Sequence, residues 1–292
     1  MDAVLIGNFD GVHLGHQALV RAAREQPRVE SVIAVTFDAH PRSRLGGGAP
    51  PMLTLPEDRS RLLHQAGVTR VEALRLDDEL LGRSPEDFIE WLHGRVPFGL
   101  IVEGVDFRFG RARSGDVHTL ERIGERLGFR TLVANQVEVS LCDGTVVAAR
   151  SSLARWMLER GRVADAARIL GRPHEVAGPV VQGAQRGREL GYPTANVKPC
   201  GVMLPADGVY AVEATTAEGD LWRGAASVGT NPTFGEQPRT LEVHILGVPS
   251  SLDLYGTTVR VRFLRWIRGM VRFDSVEDLI QQMERDCEKV GA

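Results

Sequence analysis

Two folding patterns share this chain, and one gives way to the other between Arg172 and Gly178. Up to that point short apolar runs alternate with stretches of helical periodicity, at residues 3–7, 13–24, 31–37, 58–66, 71–76, 85–93, 100–103, 117–127 and 131–134. Strand and helix in turn imply an α/β parallel sheet of Rossmann-like type covered by helices. Val32-Ile33-Ala34-Val35 and Leu100-Ile101-Val102 are apolar without a break, as expected of strands buried on both faces. Gly46-Gly47-Gly48-Ala49-Pro50-Pro51 is the clearest loop, an alternating stretch around Asp143-Gly144 reads as a hairpin, and helices follow near 152–159 and 163–170. Past Gly171-Arg172-Pro173 the texture turns to short strands, 208–212, 222–228, 240–246 and 258–263, separated by Gly, Pro and Asp turns. A small antiparallel β-barrel is the natural product. Val276, Leu279, Ile280, Met283, Cys287 and Val290 recur at helical spacing behind a capping-box-like Ser275 and Asp278, so a C-terminal helix completes it. A chain of 292 residues has room for two cores, and the division is drawn at 1–172 and 173–292.

Charge and cysteine usage exclude several classes. Lys and Arg number 35 against 38 Asp and Glu, a net charge of −3 that argues against an electrostatic nucleic-acid partner. Cys142, Cys200 and Cys287 are odd in number, widely spaced and without a C-x-x-C pair, so a disulfide framework or zinc site is not suggested and a reducing compartment is. No apolar run approaches the ~18 residues of a membrane span. A soluble, cytoplasmic protein without a membrane partner is expected, with self-association left open.

Two segments carry chemistry. In Gly7-Asn8-Phe9-Asp10-Gly11-Val12-His13-Leu14-Gly15-His16 a strand ends at Gly7 and a helix starts near His13, which aims backbone N–H groups and the positive helix end at an anion. His13 and His16 are three apart on one helix face, where two imidazoles can bond nucleotide phosphates, and Gly15 between them admits a close approach to the backbone. Charge developing on an α-phosphorus and on departing pyrophosphate would be stabilised there without a covalent intermediate. Two surface histidines at a helix start would be the plain alternative.

The second segment begins with the glycine-spaced run Gly183, Gly187 and Gly191, whose loop Gln185-Arg186-Gly187-Arg188 offers amides and cations to phosphates. In Tyr192-Pro193-Thr194-Ala195-Asn196, Pro193 fixes the backbone, and Thr194 and Asn196 present oxygens from one strand face to Mg²⁺ and phosphate. Read alone, Pro-Thr-Ala-Asn could equally be a turn. In Thr240-Leu241-Glu242-Val243-His244-Ile245 the apolar residues face one way, Glu242 and His244 the other. Glu242 is the better base for an alcohol, since a partly buried carboxylate can be tuned upward. As an isolated strand residue it would simply face solvent.

His13-Leu14-Gly15-His16 after a strand resembles the nucleotidyltransferase superfamily, and the synthetases' Lys-Met-Ser-Lys-Ser loop is missing. With Phe37-Asp38-Ala39-His40-Pro41-Arg42, Gly104-Val105-Asp106-Phe107-Arg108-Phe109-Gly110 and Ser114-Gly115-Asp116, the stretch from Val4 to Arg172 resembles the FMN adenylyltransferase half of the bacterial bifunctional riboflavin kinase/FAD synthetase family. Two departures stand out. Ala39 replaces the family's usual Pro, and Arg150-Ser151-Ser152-Leu153-Ala154-Arg155 replaces its Ser-Ser-Thr-x-Ile-Arg, leaving Ser151, Ser152 and Arg155 as the hydroxyls and cation for phosphate. Capping of a helix by Ser151 and Ser152 is the plain alternative. From Gly178 to Val290 the chain resembles riboflavin kinase, through Gly208-Val209-Tyr210, Gly229-Thr230-Asn231-Pro232-Thr233-Phe234, Leu241-Glu242-Val243-His244, Asp253-Leu254-Tyr255-Gly256 and Ile267-Arg268 in the family's order.

The resemblance implies a six-stranded flavin-binding barrel, Mg-ATP as donor, and Glu242 as general base on the ribityl 5′-hydroxyl. It implies two reactions, riboflavin to FMN in the barrel and FMN to FAD in the N-terminal domain, with ATP at Gly7, Asn8, Phe9, Asp10, Gly15, Asp106, Ser151, Ser152 and Arg155 in the latter. Two rivals are weighed beside it: a kinase whose adenylyltransferase is silenced by the altered 150–155 segment, and a flavin sensor without turnover. A sensor would not require His13, His16 and Glu242. Trp91, Trp156, Trp222 and Trp266 are as consistent with core or surface as with flavin platforms.

Overall fold

The computed structural model describes residues 1–44, 46, 48–182, 192–216, 218–230, 239–247 and 254–291. The glycines at 183, 187 and 191 and most of the Gly229–Phe234 motif lie outside them. The chain forms two compact units, one of residues 1–50, 54–139 and 146–150, the other of 51–53, 140–145 and 151–292.

In the first unit β1 (Asp2–Ile6), β2 (Ser31–Phe37), β3 (Arg70–Leu74), β4 (Leu100–Gly104) and β5 (Arg130–Ala134) form a parallel sheet in the order β3-β2-β1-β4-β5. The alternation of strand and helix read from the sequence is therefore a doubly wound sheet. Ala3, Leu5 and Val32 belong to the apolar cluster on one face, and Val4, Ile33 and Ile101 to that on the other. Burial on both sides is why these strands carry no polar alternation. Between the strands run α1 (Leu14–Arg24), α2 (Pro41–Arg44), α3 (Pro56–Ala66), α4 (Asp78–Gly82), α5 (Pro85–Arg95) and α6 (Val117–Leu127). Side chains set their starts: Asp77, Ser84 and Asp116 accept backbone N–H bonds from Leu80, Asp87 and Thr119. Because β2 and β4 flank β1, the chain winds in opposite directions on the two sides of β1, and the carboxyl end of β1 is the switch point at which sheets of this kind bind ligands.

The hairpin expected at Asp143-Gly144 is present as β6 (Glu138–Ser140) and β7 (Val146–Ala148). Gly144 takes a φ of 84°, and the Thr145 amide donates to the Asp143 carboxylate at 3.0 Å. Helices α7 (Ser151–Leu158) and α8 (Val163–Leu170) pack on each other in the second unit, and α8 also packs on strands of the barrel.

That barrel is closed and antiparallel. It comprises β8 (His174–Val181), β9 (Thr194–Val197), β10 (Gly208–Thr215), β11 (Leu221–Gly229), β12 (Thr240–Ile245) and β13 (Thr258–Arg268), in the order β10-β11-β12-β9-β8-β13. Val176, Val212, Ala226, Val243, Val261 and Phe263 are fully buried within it. Strands β8 and β9 complete the ring, and the Pro-Thr-Ala-Asn segment lies in a strand rather than a turn. Helix α9 (Val276–Gly291) packs on β10 and β11, starting where Ser275 Oγ accepts the Asp278 amide at 3.1 Å. Arg268 of β13 holds the buried Asp286 of α9 with two guanidinium nitrogens, at 2.9 and 2.8 Å.

Candidate functional site

The segment between β1 and α1 is a tight left-handed loop. Phe9, Gly11 and Val12 have φ of 48°, 83° and 40°, so two non-glycine residues sit where side chains are rarely tolerated. Tertiary bonds hold them there. The buried Asp10 carboxylate accepts both the amide and the hydroxyl of Thr54 at 3.0 Å, and the Gly11 amide donates to the same hydroxyl at 3.1 Å. Thr36 Oγ donates to the Asn8 carbonyl at 3.4 Å, while the Gly7 amide continues the β1–β2 pairing through Val35 at 3.0 Å. Phe9 is 1% exposed and stands edge-on to His16, so it props the loop from beneath. Asn8 and Phe9 thus shape the loop through backbone and core contacts, and Asp10 through its carboxylate.

His13 caps α1. Its Nδ1 accepts the His16 amide at 3.4 Å, which leaves Nε2 as the ring nitrogen that can donate to a ligand. The two imidazoles stack with centroids 3.6 Å apart. Burial, then His13, then the Arg59 guanidinium hold His16 well below the usual histidine range, so its ring is neutral near pH 7. His16 Nδ1 is buried without a hydrogen-bond partner among the described residues. Gly15 has a steric reason to lack a side chain: a Cβ would stand 2.9 Å from the His13 ring and 3.0 Å from the Ala149 carbonyl. A donor ring, a neutral ring and the N–H groups of a helix start together suit a phosphate chain.

Asp106, just past β4, pairs with Arg150 at 3.2 Å, both side chains largely exposed. In the second unit Ser151 and Ser152 are the first residues of α7, and Arg155 lies one turn on, its Nε donating to the Pro51 carbonyl at 2.7 Å.

Strand register builds the barrel site. Pairing of β12 with β9 sets Glu242 opposite Asn196 and His244 opposite Thr194, and pairing with β11 sets Glu242 opposite Ser227. Partners in register share a face, so Asn196, Glu242 and Ser227 form one row across three strands and Thr194 with His244 the next. Leu241, Val243 and Ile245 are buried inside the barrel, so these rows lie on its outer face. Thr240 Oγ lies 3.3 Å from the Gly229 carbonyl and 3.5 Å from the Glu242 carboxylate, and its single proton serves one or the other. A carboxylate, a carboxamide and hydroxyls are hard oxygen donors, the set that suits Mg²⁺ beside a phosphate. Among the described residues no group of three or more His, Cys, Asp or Glu could hold a metal.

Thr54, Glu103, Arg59 and Ala149 escaped sequence reasoning. Thr54 reaches the N-terminal loop, Glu103 the end of β1, Arg59 the field at His16 and Ala149 the backbone at Gly15, each from dozens of residues away, and no local motif marks them. Of the tryptophans, Trp266 packs edge-on to Tyr210 at 5.2 Å, and Trp156 and Trp91 lie under arginines.

Residues 1–146 match a family model described as FAD synthetase, and residues 170–292 one described as riboflavin kinase. A protein of Escherichia coli (strain K12) named bifunctional riboflavin kinase/FMN adenylyltransferase is 37% identical over 287 residues, covering 96% of this chain and 89% of that one. Its namesake in Haemophilus influenzae is 34% identical, covering 99% of this chain and 93% of that one. A crystal structure described as a macrolide-efflux protein from Streptococcus pneumoniae superposes with a TM-score of 0.88 at 32% identity, covering 99% and 93% of the two chains. Among the described residues of this chain no helix is long and apolar enough to cross a membrane.

Proposed function

The chain belongs to the bifunctional riboflavin kinase/FMN adenylyltransferase family, and from that premise we propose which residues carry each of its two reactions. It is an enzyme of flavin cofactor biosynthesis. Riboflavin and ATP give FMN and ADP, and FMN and ATP give FAD and pyrophosphate. The match to both family models speaks against a kinase alone and against a sensor without turnover.

Glu242 is the general base of the kinase reaction. What carries this assignment is the register that sets it opposite Asn196, in the row next to Thr194, so a carboxylate and the phosphate-side oxygens share one face of the barrel. The carboxylate takes the proton of the ribityl 5′-hydroxyl as its oxygen attacks the γ-phosphorus, and ADP leaves. Thr194 and Asn196 would hold Mg²⁺, which neutralises phosphate charge when bound. The glycine-spaced run Gly183, Gly187 and Gly191, outside the described residues, is assigned to the phosphates on its sequence alone.

Adenylylation is assigned to the β1–α1 loop. The amides and the His13 and His16 rings receive the triphosphate, and oriented donors stabilise the charge that develops as the FMN phosphate attacks the α-phosphorus. Gly7, Asn8, Phe9 and Asp10 form the loop and Gly15 lets the rings stack, while Asp106, Ser151, Ser152 and Arg155 are assigned to the nucleotide on the family's sequence pattern alone. Cytoplasmic residence fits the free thiols of Cys142, Cys200 and Cys287.

Replacing the base tests the division of labour. With Mg-ATP, Glu242→Gln is expected to abolish FMN formation from riboflavin and to leave FAD formation from supplied FMN intact, both read by chromatography. Equal loss of the two products would break the two-site assignment.

A further inference from the structure

The outer face of the barrel carries a contact whose role goes beyond the residues assigned above. The β9–β12 ladder stops at the pair Thr194–His244. It cannot run one residue further in the same way, because Pro193 has no N–H to give. The side chain of His244 bridges that gap: its Nδ1 lies 2.9 Å from the Pro193 carbonyl oxygen. A carbonyl only accepts, so Nδ1 carries the proton and donates. One residue earlier, Tyr192 stands edge-on to the same imidazole with centroids 5.2 Å apart. Its phenol is pushed up by burial and then by Glu284 and Cys287 of α9. Three consecutive residues are thus fastened by three different means: Tyr192 by its edge contact with the His244 ring, Pro193 by the imidazole N–H, Thr194 by the ladder.

We infer that His244 is a positioning residue of the kinase reaction, holding the Pro193 carbonyl through Nδ1–H and so fixing where Thr194 and Asn196 present their oxygens to the magnesium nucleotide. The inference rests on the assignment of Glu242, Thr194 and Asn196 given above. His244 itself touches neither phosphate nor flavin in this role. Loosening it should therefore weaken the nucleotide's hold more than the flavin's.

Steady-state kinetics of the full-length enzyme test it, with magnesium-ATP and riboflavin varied in turn. His244→Ala is expected to raise KM for magnesium-ATP about tenfold while KM for riboflavin changes less than about twofold. His244→Asn puts an N–H donor on the same Cγ and should bring KM back to within about twofold of the unaltered enzyme, whereas His244→Gln, whose amide sits one atom further out, should not. The KM for riboflavin, held within about twofold in all three, reports that the barrel is folded, and unchanged FAD formation from supplied FMN reports the same of the first unit. An unchanged KM for magnesium-ATP in His244→Ala, or an Asn variant no better than Ala, overturns the inference. Should Glu242→Gln still form FMN at the normal rate, the kinase-site assignment itself falls, an outcome distinct from failure of the His244 series.

Discussion

Glu103 shows how one side chain can serve the first site without reaching a ligand. It is 2% exposed near the end of β4, and its carboxyl accepts the Ile6 amide at 2.6 Å, tying the last residue of β1 to its neighbour strand. Burial pushes the carboxyl well above the usual range, against the opposing pull of the Ile6 bond. The folded protein therefore keeps a proton that the unfolded chain releases above about pH 4.3, and stability falls as pH rises from there towards the folded value. Glutamine keeps the accepting oxygen and removes that dependence. Glu103→Gln is expected to melt about 3 °C above the unaltered protein at pH 8, with the gap closing towards pH 4, in thermal unfolding followed by circular dichroism. A gap independent of pH would show that the carboxyl is ionised in the fold. Nothing in the sequence singles out Glu103, because its importance comes from Ile6, 97 residues away.

At the scale of elements, the first turn of α1 was legible as an anion site, whereas the reason for its glycine was not. Periodicity and the strand before it predicted a helix start near His13, and the helix begins at Leu14 with His13 as its cap. The expected role of Gly15 was close approach of a nucleotide. The structure adds a packing role, since the missing Cβ leaves room for the His13 ring and for the carbonyl of Ala149, which lies just past β7 and far along the chain. Gly15→Ala should displace the His13 ring and lower FAD formation from FMN about a hundredfold, leaving FMN formation from riboflavin unchanged. Loss of both activities would mean that the substitution unfolds the chain instead. In the barrel, alternation alone separated Glu242 and His244 from the buried Leu241, Val243 and Ile245. It could not choose the partner strand, so the meeting of Glu242 with Asn196 and Ser227 had to wait for the register.

Over the whole molecule, the family matches end at 146 and resume at 170, and the helices between them pack with the barrel. Val163, Ala166, Ile169 and Leu170 of α8 are buried, and α8 lies against β8 and β13. A fragment of residues 151–292 is accordingly expected to melt at least about 5 °C above one of residues 173–292, each followed by circular dichroism, because the shorter piece exposes the apolar faces that α8 covers. Equal melting temperatures would show that the helices add nothing to the barrel. The sequence by itself determined the α/β-then-barrel order, the parallel and antiparallel classes, the cap at Ser275 and the family, since each follows from local periodicity or from motifs contiguous in the chain. Only the tertiary structure decided that Thr54 braces the left-handed loop, that His13 and His16 stack, and that Asn196 faces Glu242. Those pairings join residues far apart along the chain, and their geometry is set by strand register and packing, which no local pattern encodes.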